Sequence, residues 1–125
     1  MIIQDKATLP AELQGPVVLV NTFVARTGQM PAFVAAQMAE YKRLLGRVAG
    51  WRGNRLHLSL DGSSAVNYAV FDSLQAYKDW RASALFTEHV AMIAPYVERS
   101  EPQIFRALYD AGDLRMPQDA PLSPP

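Results

Sequence analysis

Residues 66–89, VNYAVFDSLQAYKDWRASALFTEH, carry the pattern that decides the fold of this chain. The stretch opens as an apolar and aromatic strand over residues 66–71, turns, and continues as a helix. A strand that leads directly into a helix is one unit of an α+β fold. Four side chains of different chemistry lie along the stretch, namely the amide of Asn67, the phenol of Tyr77, the indole of Trp80 and the imidazole of His89.

Three further strands extend this pattern on either side. β-branched and apolar residues predict a strand at Val17–Ala25, and alternation of apolar with polar residues predicts another after Trp51. Asp61 and Gly62 mark a hairpin turn between the second and third strands. The four predicted strands cover residues 17–25, 51–60, 65–71 and 103–109.

Two helical regions separate these strands. The first covers residues 31–48, where apolar side chains recur at helical spacing and leave Gln37, Glu40, Lys42 and Arg43 for water. The second begins after a capping box formed by Asp72 and Gln75. Its later part, residues 85–97, is interrupted by Pro95.

The resulting order, β-α-β-β-α-β, has one dominant topological solution. Right-handed, unknotted connections lead to a ferredoxin-like α+β sandwich, a four-stranded antiparallel sheet with helices on one face. The first and third strands are then neighbours at the centre. Val18 and Val20 occupy one face of the first strand and Leu19 and Phe23 the other, so both faces are apolar although helices cover only one. We therefore expect a homodimer packed through its sheet faces.

Length and composition limit the possible classes of function. By size the 125 residues are one domain, which we divide into an N-terminal arm (1–15), a folded domain (16–111) and a proline-rich tail (112–125) expected to be disordered. Lys+Arg and Asp+Glu both number 12, which argues against a nucleic-acid partner. The absence of cysteine excludes disulfides and thiolate metal sites. No segment predicts a membrane span or a secretion signal, so we expect a cytoplasmic protein with no membrane partner.

Two carboxamides are the first candidates for a site. Asn21 shares a strand face with Leu19 and Phe23, and Asn67 shares one with Ala69. If the central strands pair, both amides point to the same side of the sheet. A buried amide without a partner costs about 1–3 kcal/mol. Either the two amides hold a polar group of an apolar ligand, or they bond to each other, to water or to nearby backbone groups.

The aromatic and imidazole side chains admit two interpretations. Tyr77 and Trp80 form a helical stripe that suits a core as well as a pocket wall. His57 lies on a strand face with polar neighbours and is expected to meet solvent or ligand, whereas His89 on an apolar helix is more typical of a structural histidine. The two histidines lack metal-type spacing, so we expect no protein metal site. No nucleotide-binding motif occurs.

Three segments resemble the antibiotic biosynthesis monooxygenase family over about residues 15–110. They are the strand LVNTF, the hairpin AGWRGNRLHLSLDG and the stretch VNYAVFDSLQAY, and they are most similar to members that act on aromatic polyketides. The resemblance implies a dimeric α+β barrel of ferredoxin-like protomers. It also implies oxidation of a small apolar phenol or anthrone by O₂ as co-substrate, without flavin, metal or nicotinamide.

The resemblance further implies roles for individual residues. Asn21 and Asn67 match the amides of the family site, and His57 matches its strand-two histidine as a proton acceptor; these three are the predicted catalytic residues. Phe71 stands where the family has a tryptophan with a part in the chemistry, so this chain departs from the pattern there. The predicted substrate-binding residues are Phe71, Tyr77, Trp80, His89, Phe23 and Phe33.

Two alternative functions stay open. Heme-degrading monooxygenases of the same superfamily use a strand-one asparagine, a helix tryptophan and a later histidine, which Asn21, Trp80 and His89 match. In that case His89 would be the axial ligand of the heme iron. The second alternative is a non-catalytic protein that binds a hydrophobic ligand or acts as an accessory, which the absence of tryptophan at Phe71 favours.

Overall fold

The chain forms an antiparallel sheet with helices on one face, in a computed structural model that describes residues 15–116. The sheet has the order β2-β3-β1-β4, so the first and third strands are central. This confirms the predicted ferredoxin-like fold. The elements are β1 (Val17–Ala25), α1 (Met30–Leu44), β2 (Trp51–Leu58), β3 (Ala65–Phe71), α2 (Leu74–Arg81), α3 (Ala84–Ile93), a 3-10 turn (Ala94–Tyr96) and β4 (Val97–Arg106).

The register of the central strands places the two amides side by side. Asn21 of β1 is directly opposite Asn67 of β3, and Asn67 is also opposite Leu56 of β2. Residues in register share a face of the sheet because side chains alternate along each strand. Asn21 and Asn67 therefore project together toward the helices, as the sequence predicts.

β4 begins at Val97, well before its predicted start at Gln103. The added segment, VERSEP, has no apolar run and contains Pro102. Its sequence therefore lacks the hydrophobic pattern that predicts a strand. β4 is an edge strand that pairs only with β1, and Pro102 lies opposite Asn21. An edge strand tolerates proline because one side of its backbone needs no ladder partner.

The helix boundaries also differ from those predicted. Ser73, rather than Asp72, caps α2, since its Oγ accepts a hydrogen bond of 3.0 Å from the backbone N–H of Ala76. The predicted capping box is therefore wrong, and Gln75 donates to Asp79 instead. Helix α1 ends at Leu44, before the predicted end at residue 48. Gly46, whose φ is +78°, lies just beyond this end.

A layer of polar side chains divides the core into two apolar clusters. One cluster holds Leu19, Ala69 and Trp80 among others, and the second consists of Phe23, Phe33, Ala65 and Ile93. Along β1, β3, α1 and α3, a polar residue falls between the positions that belong to the two clusters. We call Asn21, Gln37, Glu40, Asn67 and His89 the polar layer.

For two residues of α1 that belong to the polar layer, the predicted exposure to solvent is wrong. Gln37 and Glu40, predicted to face water, are only 2% and 3% exposed. They follow Phe33 and precede Leu44 on the buried stripe of the helix, at a spacing that keeps all four on one face. A buried glutamine and glutamate in one helix require partners or a function.

The second face of the sheet, which we call the open face, carries no helix. Its apolar side chains include Val18, which is only 6% exposed, and the half-buried Val20 and Val66, whereas Tyr68 and Phe105 are 40% and 44% exposed there. Of the predicted arm only Gly15 is described, and of the predicted tail only residues 112–116, which are exposed and form no helix or strand. Within residues 15–116, no helix is both long and apolar enough to cross a membrane.

Candidate active site

A cavity of about 460 Å³ lies between the sheet and helices α2 and α3. Its size is within the range of ligand pockets in proteins, about 300–1,000 Å³. Six of the nine predicted site residues line it: Asn21, Phe23, Asn67, Tyr77, Trp80 and His89. The fold therefore gathers most of the predicted site in one place.

The two amides differ in how their hydrogen bonds are satisfied. Asn67 is 1% exposed, its Oδ1 accepts from Asn54 Nδ2 at 2.9 Å, and its Nδ2 donates to the Tyr41 hydroxyl at 3.3 Å. Asn21 has a buried Oδ1 with no partner among the described residues. The two amides do not bond to each other, so the Asn21 Oδ1 is an acceptor without a partner in the cavity wall.

A buried histidine–carboxylate pair closes one side of the cavity. His89 Nδ1 lies 3.1 Å from Glu40 Oε1, and both side chains are about 95% buried or more. Arg43 holds the same carboxylate with two charge-assisted hydrogen bonds, of 2.9 Å from Nε and 2.8 Å from Nη2. The Arg43–Glu40–His89 chain leads from the protein surface into the cavity.

The pKa shifts of this pair set its charge state. Arg43 lowers the pKa of Glu40 below its usual value, and although burial opposes the shift, the hydrogen bond from His89 adds to it. Burial lowers the pKa of His89, and Glu40 only partly offsets this. At neutral pH, His89 is therefore a neutral imidazole. Its Nδ1–H donates to a charged carboxylate, which leaves Nε2 as the basic nitrogen.

Aromatic rings hold the imidazole in place. The ring of Tyr41 lies 5.2 Å and that of Trp80 5.9 Å from the ring of His89, measured between centroids. Burial raises the pKa of Tyr41 to about 12, so its hydroxyl stays protonated. Tyr41 thus packs against His89 while its hydroxyl accepts from Asn67, and it connects the imidazole to that amide.

The mouth of the cavity is basic. Arg26, Arg81 and Arg99 line it, and Glu98 is the acidic residue among them. Arg81 donates to the Tyr77 hydroxyl at 2.9 Å, and its guanidinium lies over the Phe86 ring at 5.2 Å. An aromatic substrate with a partial negative charge on an oxygen suits this combination of rings and cations.

Three of the predicted site residues lie elsewhere. His57 is opposite Val66 on the open face, so the structure does not bring it into the cavity with the amides. Phe71, 2% exposed, packs its ring edge-on against Tyr77 at 5.4 Å and supports the wall from behind. Phe33 is buried against Phe23 at 4.8 Å. The predicted proton acceptor His57 therefore lies outside the cavity of its own protomer.

Several site residues were not predicted from the sequence. Glu40, Tyr41, Asn54 and Arg81 complete the hydrogen bonds of the cavity. The helical spacing of Phe33, Glu40 and Leu44 was the available signal for a buried carboxylate. No group of three or more His, Cys, Asp or Glu residues that could hold a metal ion occurs within residues 15–116.

Solved structures share this fold at low sequence identity. SnoaB, a cofactor-independent oxygenase from Streptomyces nogalater solved as an asparagine-to-alanine mutant, is 22% identical with a TM-score of 0.69, over 78% of this chain and 98% of SnoaB. A protein from Bordetella bronchiseptica is 17% identical with a TM-score of 0.70, over 77% of this chain and 100% of its own. Rv0793 from Mycobacterium tuberculosis is 22% identical with a TM-score of 0.65, over 78% and 99%. At these identities the likeness shows the fold.

Family membership follows from the sequence match. None of the curated proteins matches this chain. The family profile described as antibiotic biosynthesis monooxygenase matches residues 16–92, more than half of the chain and all elements from β1 through most of α3. The chain therefore belongs to the antibiotic biosynthesis monooxygenase family.

Proposed function

We propose that this protein is a cofactor-independent monooxygenase that oxidises a phenol- or anthrone-type aromatic substrate with molecular oxygen. The observation that carries the proposal is that a buried histidine–carboxylate pair and a free sheet amide meet in one aromatic cavity. Family membership and the cofactor-independent oxygenase among the similar structures support it. The aromatic polyketide class is the substrate that the walls of the cavity favour.

His89 is the proposed base. With Nδ1–H donated to Glu40, the Nε2 lone pair is available to take the acidic proton of a bound phenol or anthrone. The imidazolium that forms is stabilised by the Glu40 carboxylate, which stays charged because Arg43 holds it. Proton removal turns the substrate into an electron-rich enolate.

Neutral donors then stabilise the negative charge on the substrate oxygen. Asn21 lines the cavity, where its Nδ2 amide group is the proposed donor, and the protonated Tyr41 hydroxyl is a second donor at the cavity wall. Asn67 positions Tyr41 through its 3.3 Å hydrogen bond. A cavity with apolar walls strengthens these interactions because it excludes water.

The oxidation itself needs only the enolate and O₂. The enolate passes one electron to O₂, and the substrate radical and superoxide combine by forming a carbon–oxygen bond. The resulting peroxide takes a proton from His89. Loss of the hydrogen on the same carbon and cleavage of the O–O bond then release water and leave a quinone carbonyl. One oxygen atom ends in the product and the second in water.

We also propose that the protein works as a cytoplasmic homodimer through the open face. The support is the set of apolar side chains that no helix covers, among which Tyr68 and Phe105 are the most exposed. A second copy with the same face would remove both from water. Isologous packing of this kind is the commonest route to a dimer.

Heme degradation is the second candidate function because the same cavity contains the three residues that match heme-degrading monooxygenases. Asn21, Trp80 and His89 all line it, and the cations at the mouth suit the heme carboxylates. His89 would hold the iron through Nε2, and bound heme would supply the activation of oxygen. In that case too, Glu40 would orient the imidazole and make it more basic.

Oxygen consumption with an anthrone under air is the test, using chelator-treated protein without added flavin. We expect quinone formation well above the spontaneous rate in buffer, with one O₂ consumed per quinone formed. A parallel hemin titration followed in the Soret region should show no tight complex. Tight hemin binding that depends on His89 would favour the heme alternative. Quinone binding without turnover would favour the non-catalytic one.

A further inference from the structure

A second cavity, of about 430 Å³, lies between α1 and the edge strand β2. It is separate from the candidate active site, but Tyr41 and Asn67 line both. His89 and Glu40 do not line it, so the second cavity contains none of the proposed acid–base groups. Any function that it has must therefore be binding rather than the oxidation proposed above.

Unsatisfied polar groups in its wall are the main sign of a ligand. Gln37 is 2% exposed, and neither its Oε1 nor its Nε2 has a hydrogen-bond partner among the described residues. Trp51 lines the same cavity with a buried, unpartnered Nε1–H. Buried polar groups in native proteins are nearly always bonded, so two exceptions in one cavity wall need a partner that residues 15–116 do not supply.

The remaining wall defines what kind of molecule would fit. The ring of Tyr41 lies 5.5 Å from that of Trp51, which gives an aromatic surface. Met38 and Leu45 are 57% and 66% exposed at the rim, so the entrance is apolar. The one charged side chain among the described lining residues is Lys42. These features favour a planar, largely apolar molecule that is neutral or weakly acidic.

We propose that this cavity binds a hydroxylated aromatic carbonyl compound. The Gln37 carboxamide can accept from a hydroxyl and donate to a carbonyl on the same edge of such a molecule. The Trp51 N–H donates to a second oxygen. The volume is within the usual range for small-molecule pockets, about 300–1,000 Å³. The inference goes beyond the proposed function, because it needs no turnover and uses residues outside the acid–base pair.

Titration with alizarin, a hydroxyanthraquinone, tests the proposal by calorimetry in the absence of oxygen. We expect two binding steps, one for each cavity. Gln37→Leu should weaken one step by about tenfold or more because the ligand loses both amide bonds. The same change should raise the melting temperature, since it removes an unsatisfied buried amide. Asn21→Leu is the matched control and should affect only the other step.

The outcomes separate this proposal from the proposed oxygenase. If Gln37→Leu is stabilised but binds alizarin in both steps as tightly as the wild type, the second site is overturned, whatever the anthrone assay shows. If the variant does not fold, Trp51→Phe keeps the aromatic ring against Tyr41 and removes only the N–H donor. Unchanged alizarin binding by that variant would overturn the proposal as well.

Discussion

The two faces of the sheet are built from the same four strands but differ in what they do with polar residues. On the helix side, Asn21 and Asn67 lie in a buried layer with Glu40 and His89. On the open face, the alternate positions of the same two strands carry valines and Tyr68. The polar His57 of β2 lies at an exposed position on this face. One face buries polar groups and the other exposes apolar ones, which is the reverse of ordinary protein surfaces and cores.

The two histidines show what this difference means for chemistry. His89 is 4% exposed, bonded to a carboxylate and enclosed by rings, so its charge and tautomer are set by the protein. His57 is exposed on β2, and no residue of that strand lines the candidate active-site cavity. This contrast is the basis for proposing His89 as the base of the reaction and the open face as the surface of self-association.

The strongest test of this contrast is to change each histidine to glutamine. His89→Gln should lower the rate of anthrone oxidation by about 10²–10⁴-fold, the usual contribution of a general base. His57→Gln should keep the wild-type rate, because the side chain lies on the other face. Steady-state O₂ consumption by the two variants is the measurement. A loss confined to His57→Gln would mean that the base comes from the open face and would reverse the assignment.

A charge on the open face should break the proposed dimer. Tyr68→Lys would bring two lysines into one interface, where like charges cost several kcal/mol and shift the dissociation constant by at least about tenfold. Sedimentation across a concentration series would show this as a monomer. Met92→Lys, at a 56% exposed apolar position on α3, is the matched control and should leave the association unchanged. Dimers that survive Tyr68→Lys would place the interface elsewhere.

The two amides should respond in opposite directions when each is changed to leucine. Asn67→Leu leaves the Asn54 amide and the Tyr41 hydroxyl without their partner and should destabilise the fold by about 1–3 kcal/mol. Asn21→Leu removes an already unpartnered carbonyl, so stability should be retained or increased while activity falls. Chemical denaturation measures both. Equal destabilisation would show that Asn21 has a structural partner.

The smallest expected effect is the dependence of stability on acid pH. The folded-state pKa of His89 is below its ordinary value of 6.5. Its contribution to folding stability is therefore complete above pH 6.5 and decreases as the pH falls below 6.5. The pKa of Glu40 is also lowered in the folded state. Glu40 therefore contributes to folding stability above its ordinary pKa of 4.5, and this contribution is lost as pH falls further. Stability should therefore decrease in two successive windows.

Thermal unfolding of the wild type between pH 7 and pH 4 measures this decrease, and the double variant Glu40→Gln with His89→Gln should show a flatter profile. A wild-type stability that rises on acidification would contradict both pKa directions. The effect of His89 is expected to be modest because Glu40 partly offsets the burial that lowers the pKa of His89.

The strands that carry the site could be predicted because their sequences are apolar and β-branched. Val17–Ala25 and Ala65–Phe71 have the bounds that the sequence predicts, and their pairing follows from topology. The predicted start of β4, Gln103, lies after its actual start at Val97. An edge strand that contains Pro102 needs neither apolar residues nor a complete set of ladder hydrogen bonds, so its first part has no hydrophobic pattern. A hydrophobic pattern finds strands that are buried, not strands that pair at an edge.

The acid–base pair could not be predicted in the same way. Glu40 and Gln37 are polar residues at core-facing positions of α1, and their polarity outweighed their spacing in the sequence interpretation. Two facts were needed, namely that α1 crosses the sheet over the amides and that His89 reaches Glu40 from α3. Both depend on tertiary packing between residues far apart in the chain, which no local pattern encodes.

The polar layer also has an evolutionary consequence. Because the apolar clusters lie on either side of the layer, exchanging one of its polar residues for another that keeps the same hydrogen bonds leaves both clusters packed. Such exchanges change which ligand or reaction the cavity suits, whereas an exchange that leaves a buried partner unbonded destabilises the fold. A lineage could acquire new substrates by mutation within this one stratum, and descendants would keep the architecture long after their sequences had diverged.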